Sequence, residues 1–305
     1  MLNKEFENIS GSEDWTAIEL VDKGWSDDIK YHITTCDNRH LLLRISDISV
    51  YDRKKREFDA MKMLDCCDIL MSRPIDFGVC NSGKSVYILL SWIDGVDAEV
   101  ELSRLTAKEQ YDLGYNAGKT LRKIHQIPAP ANQEGWAERF NKKIDNKIKK
   151  YLSCAVKIEK ADNIIDYINN NRFLLESRKQ TFQHGDFHVG NMIVTAQKEV
   201  GIIDFNRYDY GDPWEEFNRI VWCAENSKYF ASGRINGYFE DNVPDDFFKL
   251  MALYIGSNTL SSVPWAIDFG EKEMKTMLNQ ARNVLEWYDD FDAYVPKWYM
   301  GTHFW

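Results

Sequence analysis

Two stretches constrain this chain more than any others: QHGDFHVGNMIV at 183–194 and VGIIDF at 200–205. Each carries an apolar, strand-like run. Together they set Asp186, Asn191 and Asp204 at strand ends and tight turns, a hairpin-sized gap apart, where oxygen side chains can converge on one point. His184, Asp186 and Asn191 follow an H-x-D-x-x-x-x-N spacing, and Asp204 closes the run Ile-Ile-Asp. Phosphoryl transfer needs a carboxylate to hold an acceptor hydroxyl and take its proton, plus oxygen ligands for the divalent cation that neutralises a polyphosphate. Asp186 fits the first role and Asn191 and Asp204 the second. Taken singly, these residues could cap turns or end a strand, but the complete pattern in this context outweighs that reading.

HGDFHVGNMIV followed by GIIDFNRYDYGDPWEEF resembles the aminoglycoside phosphotransferase and choline kinase superfamily of small-molecule kinases. Within that superfamily the chain is most similar to the antibiotic phosphotransferases that act on aminoglycosides or macrolides. The resemblance implies an α+β, bilobal, protein-kinase-like fold. A small mixed β-sheet lobe at 1–93 would bind the nucleotide, and a larger, mainly helical lobe at 94–305 would carry catalysis and the substrate. It also implies Mg2+, ATP or GTP as phosphate donor, and a small-molecule hydroxyl as acceptor. Gly185 stands where protein kinases place Arg, and Gly-Asp-Pro at 211–213 stands where they run a long activation loop, so a small substrate is favoured over a protein. The likeness is strong over 180–217, moderate in the first lobe and weak in the tail.

With 305 residues, 44% apolar and 13% aromatic, the chain can fill two modest cores. The segment MLNKEFENIS lacks an apolar signal core, and no apolar run reaches membrane-spanning length, so a soluble, cytoplasmic protein is expected. Six cysteines without CxxC or Cys/His ligand spacing read as reduced thiols. A net charge of −10 argues against nucleic acid as a partner. It suits a cationic ligand, or serves solubility alone. No obligate protein partner is evident.

In the first lobe, strands are predicted at 16–21, 28–35 and 41–46, then a helix from Tyr51 to Leu64, then two more strands. The loop DKGWSD holds Gly24 and Ser26, a weak phosphate cradle that by itself reads more readily as an ordinary hairpin loop. Where the kinase template carries a Lys on the third strand, this chain has Arg44, with Glu57 on the following helix as its expected partner. A surface pair of Glu57 with Arg53 or Lys54 is the plainer alternative. GVCNSGKS at 78–85 matches the P-loop expression letter for letter, but a strand follows it where a P-loop needs a helix, so it reads as a turn. By resemblance, the main chain at Ser91 and Ile93 would receive the base.

In the second lobe, Thr106 and Glu109 form a capping box, and His125 reads as a packing residue at a helix end. The run 138–150 reads as a solvated charged helix face. Asp212, Glu215 and Glu216 open a helix, where carboxylates suit the dipole; they could instead bind ammonium groups of an acceptor, with Trp265 among the aromatic walls. The expected acceptor is an aminoglycoside, which would make the protein an antibiotic-resistance enzyme. A macrolide or a choline-like alcohol, or a nucleotide-binding protein without catalysis, are the alternatives.

Overall fold

The computed structural model describes residues 6–22 and 28–302; Gly24 and Ser26 lie outside the described residues. In chain order the elements are β1 (Trp15–Leu20), β2 (Ile29–Thr35), β3 (His40–Asp47), α1 (Tyr51–Met63), β4 (Pro74–Cys80), β5 (Ser85–Ser91), β6 (Val96–Asp97) and α2 (Ala98–Glu101). Then come α3 (Ala107–Ile124), α4 (Trp136–Ser153), α5 (Ala161–Asn171), β7 (Thr181–Gln183), β8 (Met192–Val194), β9 (Val200–Ile202) and β10 (Asp209–Gly211). Helices α6 (Ile220–Asn226), α7 (Lys228–Phe239), α8 (Asp245–Ala266) and α9 (Glu271–Trp287) complete it. The chain divides into two compact units. The first runs as far as Asp97 and takes in Asn191–Tyr208; the second comprises Ala98–Gly190 and Asp209–Trp305.

The first unit is built on a sheet of order β1-β2-β3-β5-β4, with every pairing antiparallel. Alternation along β3 explains its two faces. Leu41, Leu43 and Ile45 pack with Ile33, Cys80, Tyr87 and Leu89 in one core, and Arg44 between them points the other way. Against that second side lies α1, whose Phe58 ring meets Phe77 of β4 at 5.5 Å. The P-loop look-alike is the β4–β5 connection: Asn81–Gly83 form a tight turn in which Ser82 takes a left-handed φ of 53°, and Ser85 begins β5. A small sheet of order β6-β8-β9 brings the 192–202 hairpin into this unit, which is why a break at residue 93 does not describe it. Main-chain bonds from Ile202 to Leu70 and from Ser72 to Ile202 fasten the hairpin further.

The second unit is helical. Helix α8 is apolar around most of its circumference, from Phe247 to Leu260, and is accordingly surrounded by α4, α5 and α9. Helix α3 starts at the expected capping box, with Thr106 accepting from the Glu109 amide and Glu109 reaching back to the Thr106 amide. It packs on α7 at unusually close range. A Cβ at Gly118 would stand 2.2 Å from the Arg234 carbonyl oxygen, and one at Gly237 would stand 2.0 Å from that of Tyr115. No described helix is long and apolar enough to cross a membrane.

Candidate active site

In the first unit, Arg44 lies at the centre of a buried ionic cluster. Its Nε and Nη2 donate to Asp28 Oδ2 at 2.8 and 2.5 Å, and its Nη1 donates to Glu57 Oε1 at 2.7 Å. Lys54 Nζ donates to the same two carboxylates, at 2.6 Å to Asp28 and 3.2 Å to Glu57, while Ser46 Oγ donates to the other Asp28 oxygen at 2.7 Å. All four charged side chains are buried, so two cations balance two anions away from water. Burial would raise the Asp28 pKa, but the charges of Arg44 and Lys54 outweigh it and hold the carboxyl down at about 2. Burial would likewise favour a neutral Arg44; Glu57, Asp28 and Asp204 overcome this and keep it charged.

The expected Arg44–Glu57 pair is present, and so is the Glu57–Lys54 pair offered as the alternative, though buried rather than at the surface; Asp28 was missed as their common partner. Lys54 precedes Glu57 by three residues on α1, so the two share a helix face, and this was the signal for their pair.

The hairpin explains how Asn191 and Asp204 meet. Met192 pairs with Ile202, and the Ile203 amide donates to the Asn191 carbonyl at 3.1 Å, so one residue precedes β8 and the other follows β9 at the same end. Asp204 sits at a left-handed φ of 65°, which Asp tolerates better than most residues. Its Oδ1 lies 3.6 Å from Arg44 Nη1, buried and without a hydrogen-bond partner among the described residues. A buried carboxylate oxygen left without a donor is what a cation ligand looks like before binding. Among the described residues no group of three or more His, Cys, Asp or Glu could hold a metal. Magnesium does not need such a cage, since it commonly takes one or two protein carboxylates and completes its shell with phosphates and water. Asp204 with Asn191 fits that requirement.

At the expected base site, the Ser91 amide donates to the Arg73 carbonyl and its hydroxyl accepts from the Arg73 amide. Ile93 is buried, its side chain lying against Gly201.

In the second unit, Glu216 holds the turn that carries Asp186. Its two oxygens accept the His184 amide at 2.7 Å and the Gly185 amide at 2.8 Å, and Gly185 supplies the left-handed φ of 84° that the turn needs. His125 Nε2 lies 3.5 Å from Glu216, and its Nδ1 is 2.9 Å from the Tyr238 hydroxyl. Burial would raise the Glu216 pKa; His125, His184 and Arg234 bring it below the usual carboxylate range. His125 is thus a packed residue that also steadies a carboxylate. Asp186 Oδ1 is 3.1 Å from Arg219 Nε and 3.7 Å from His188 Nε2. Sequence reasoning missed Arg219, which no motif marks.

The candidate acceptor carboxylates are occupied. Asp212 is fully buried and accepts from Arg178 at 2.8 and 2.9 Å, from Tyr254 at 2.6 Å and from the Trp214 amide at 3.1 Å. Glu216 is buried in the loop clamp, and Glu215 takes Lys143 at 3.4 Å and Gln183 at 3.3 Å. Trp265 is 40% exposed near the end of α8, stacked on Phe269 at 4.3 Å.

A family model described as the phosphotransferase enzyme family matches residues 17–249. No curated protein matches the chain. Among solved structures, the GDP complex of an aminoglycoside 2'-phosphotransferase-IIIa mutant is 12% identical with a TM-score of 0.71, covering 96% of this chain and 100% of that one. The gentamicin complex of APH(2'')-IIa is 17% identical with a TM-score of 0.64, covering 88% and 91%. A thermostable APH(4)-Ia mutant bound to ADP and hygromycin B is 14% identical with a TM-score of 0.66, covering 89% and 94%. At these identities the likeness concerns the fold.

Proposed function

This chain belongs to the phosphotransferase enzyme family, and from that premise we propose that it transfers the γ-phosphate of ATP or GTP to a hydroxyl of a small molecule with Asp186 as the base. The acceptor oxygen forms its bond to the γ-phosphorus as the bond from phosphorus to the diphosphate oxygen breaks. Asp186 takes the hydroxyl proton, and the nucleoside diphosphate leaves. Glu216 keeps the Asp186 turn in place through two main-chain bonds, and Arg219 fixes the carboxylate. Asn191 and Asp204 would hold magnesium, which when bound neutralises the phosphate oxygens. Arg44, anchored by Asp28 and Glu57, supports Asp204 from behind. Ser91 and Ile93 stand as the main-chain contacts for the base.

The observation that carries this reading is the buried, unbonded Oδ1 of Asp204, at the hairpin end it shares with Asn191. An aminoglycoside acceptor is favoured by the gentamicin and hygromycin B complexes of the structural neighbours. It is not favoured by Asp212, Glu215 and Glu216, whose oxygens already have partners. The test is magnesium-dependent ADP or GDP release by purified protein with a panel of aminoglycosides, macrolides, choline-like alcohols and hydroxy acids. Stimulation by one acceptor supports the reading and names the substrate. Nucleotide binding without stimulation by any member of the panel points to a protein that binds nucleotide but does not transfer.

A further inference from the structure

Helix α7 is buried along 230–238, and at its middle stands Arg234, whose side chain is fully buried. Arginine is seldom found so deep without a paired carboxylate. Here the guanidinium lies between two rings, 4.8 Å from the centroid of Phe187 and 4.8 Å from that of Phe217. Its Nη2 donates to the Glu216 main-chain oxygen at 3.3 Å and its Nη1 to Cys223 Sγ at 3.7 Å, while Nε has no hydrogen-bond partner among the described residues. Both bonds are long, so by themselves they do not account for taking a charge out of water. Its neighbours explain the position. Phe187 follows Asp186 directly, and Glu216 is the carboxylate that accepts the His184 and Gly185 amides just before it. Asp186 is therefore bracketed by two supports, and both of them touch Arg234.

We propose that Arg234 is a positioning residue for Asp186: it supplies the counter-charge for the buried Glu216 carboxylate and clamps the Phe187 ring, so that one guanidinium on α7 fixes the turn on both sides of the base. This rests on the reading of Asp186 as the base. An ionised Glu216 offers both oxygens to the two amides, whereas a protonated one must carry a hydrogen on an oxygen that an N–H already faces. Burial favours the protonated form, and the groups that oppose it are His125 at the end of α3, His184 in the turn, and Arg234. Tyr238, one turn beyond Arg234 on α7, also lies in the field of Glu216. Of these groups, the guanidinium alone stays charged whatever the pH of the assay. Burial disfavours the charged Arg234 in turn, and Cys223 and Glu216 oppose it. A neutral side chain of similar length would fill the space between the rings but leave the Glu216 carboxylate without that charge.

The test uses the full chain, with Arg234→Met to remove the charge at similar length, Arg234→Lys to keep it, and Glu216→Gln to remove the anion it balances. Hydrogen exchange of the His184 and Gly185 amides is followed by NMR at neutral pH and compared with global stability from urea denaturation. Diphosphate release is measured alongside with any acceptor that turns over. Arg234→Met is expected to speed exchange of both amides by about tenfold or more beyond the change in global stability, and to add less than about threefold in the Glu216→Gln background. Arg234→Lys should recover most of the protection. In turnover, Arg234→Met should lower kcat by about tenfold or more and leave the nucleotide KM within about twofold of wild type. Unchanged exchange in Arg234→Met, no recovery in Arg234→Lys, or an equal effect in the Glu216→Gln background would overturn the proposal. If Arg234→Met does not fold, the double variant decides: folding restored by Glu216→Gln supports the counter-charge, and continued failure overturns it, leaving Arg234 a packing residue. If no acceptor turns over while the exchange pattern holds, the reading of Asp186 as the base fails and the support of its turn by Arg234 stands.

Discussion

Glu216 shows how much a single side chain can carry. It accepts two main-chain amides of the turn that carries Asp186 in a fully buried setting, so Glu216→Ala leaves both donors unsatisfied. At roughly 1–3 kcal/mol per orphaned donor, a loss of about 3 kcal/mol of stability is expected, readable by urea denaturation. Turnover should fall further than nucleotide affinity, because the turn positions Asp186. Asp28 gives a pH signature. Its folded pKa, about 2, lies below the usual 3.8, so its contribution is complete above roughly pH 4 and is lost as pH falls toward 2. Asp28→Asn should flatten that part of the acid-unfolding curve. At neutral pH it should also cost about 3 kcal/mol, since Arg44 and Lys54 are left short of a buried carboxylate. An acid limb identical to wild type would show that Asp28 is not held by those two cations. Asp204, Asn191 and Asp186 could be put forward from the sequence because the pattern they form is one of fixed spacing along one short segment. Asp28 and Arg219 could not, because each reaches its partner only through tertiary folding.

Among the elements, α3 and α7 make the sharpest structural prediction. Gly114 and Gly118 on α3 and Gly233 and Gly237 on α7 each sit against a carbonyl of the partner helix, at 2.0–2.3 Å from where a Cβ would stand. Gly118→Ala must push the helices apart, and a loss of about 3 kcal/mol or more is expected in chemical denaturation. The signal was available as two glycine pairs, each four residues apart; the apolar stripe Leu113, Ala117, Leu121 and Ile124 was read instead. The β4–β5 turn yields a second prediction. Lys84 follows a tight turn rather than opening a helix, so Lys84→Ala should leave nucleotide affinity unchanged while Asp204→Ala lowers it at least tenfold. The reverse pattern, by calorimetric titration, would restore the P-loop reading and remove the present one. Strands β1 to β3 and α1 were anticipated to within a residue or two, since alternation and helical spacing are local signals. The passage of the 192–202 hairpin into the first unit was not, because it depends on pairing with the two-residue strand β6 and with Leu70 and Ser72.

At the scale of the whole molecule, family and fold were legible from one motif, while the acceptor was not. Net charge pointed to a cationic ligand, yet the carboxylates offered for it are bonded internally. Composition sums charges without placing them. The central claim, that Asp186 is the base of a nucleotide-dependent phosphotransferase, is tested most directly by Asp186→Asn, which removes the proton acceptor and keeps the side chain's size. Nucleotide affinity measured by calorimetry should stay within about twofold of wild type, and acceptor-stimulated diphosphate release should fall by about 10²–10⁴. Wild-type turnover in that variant would contradict the account.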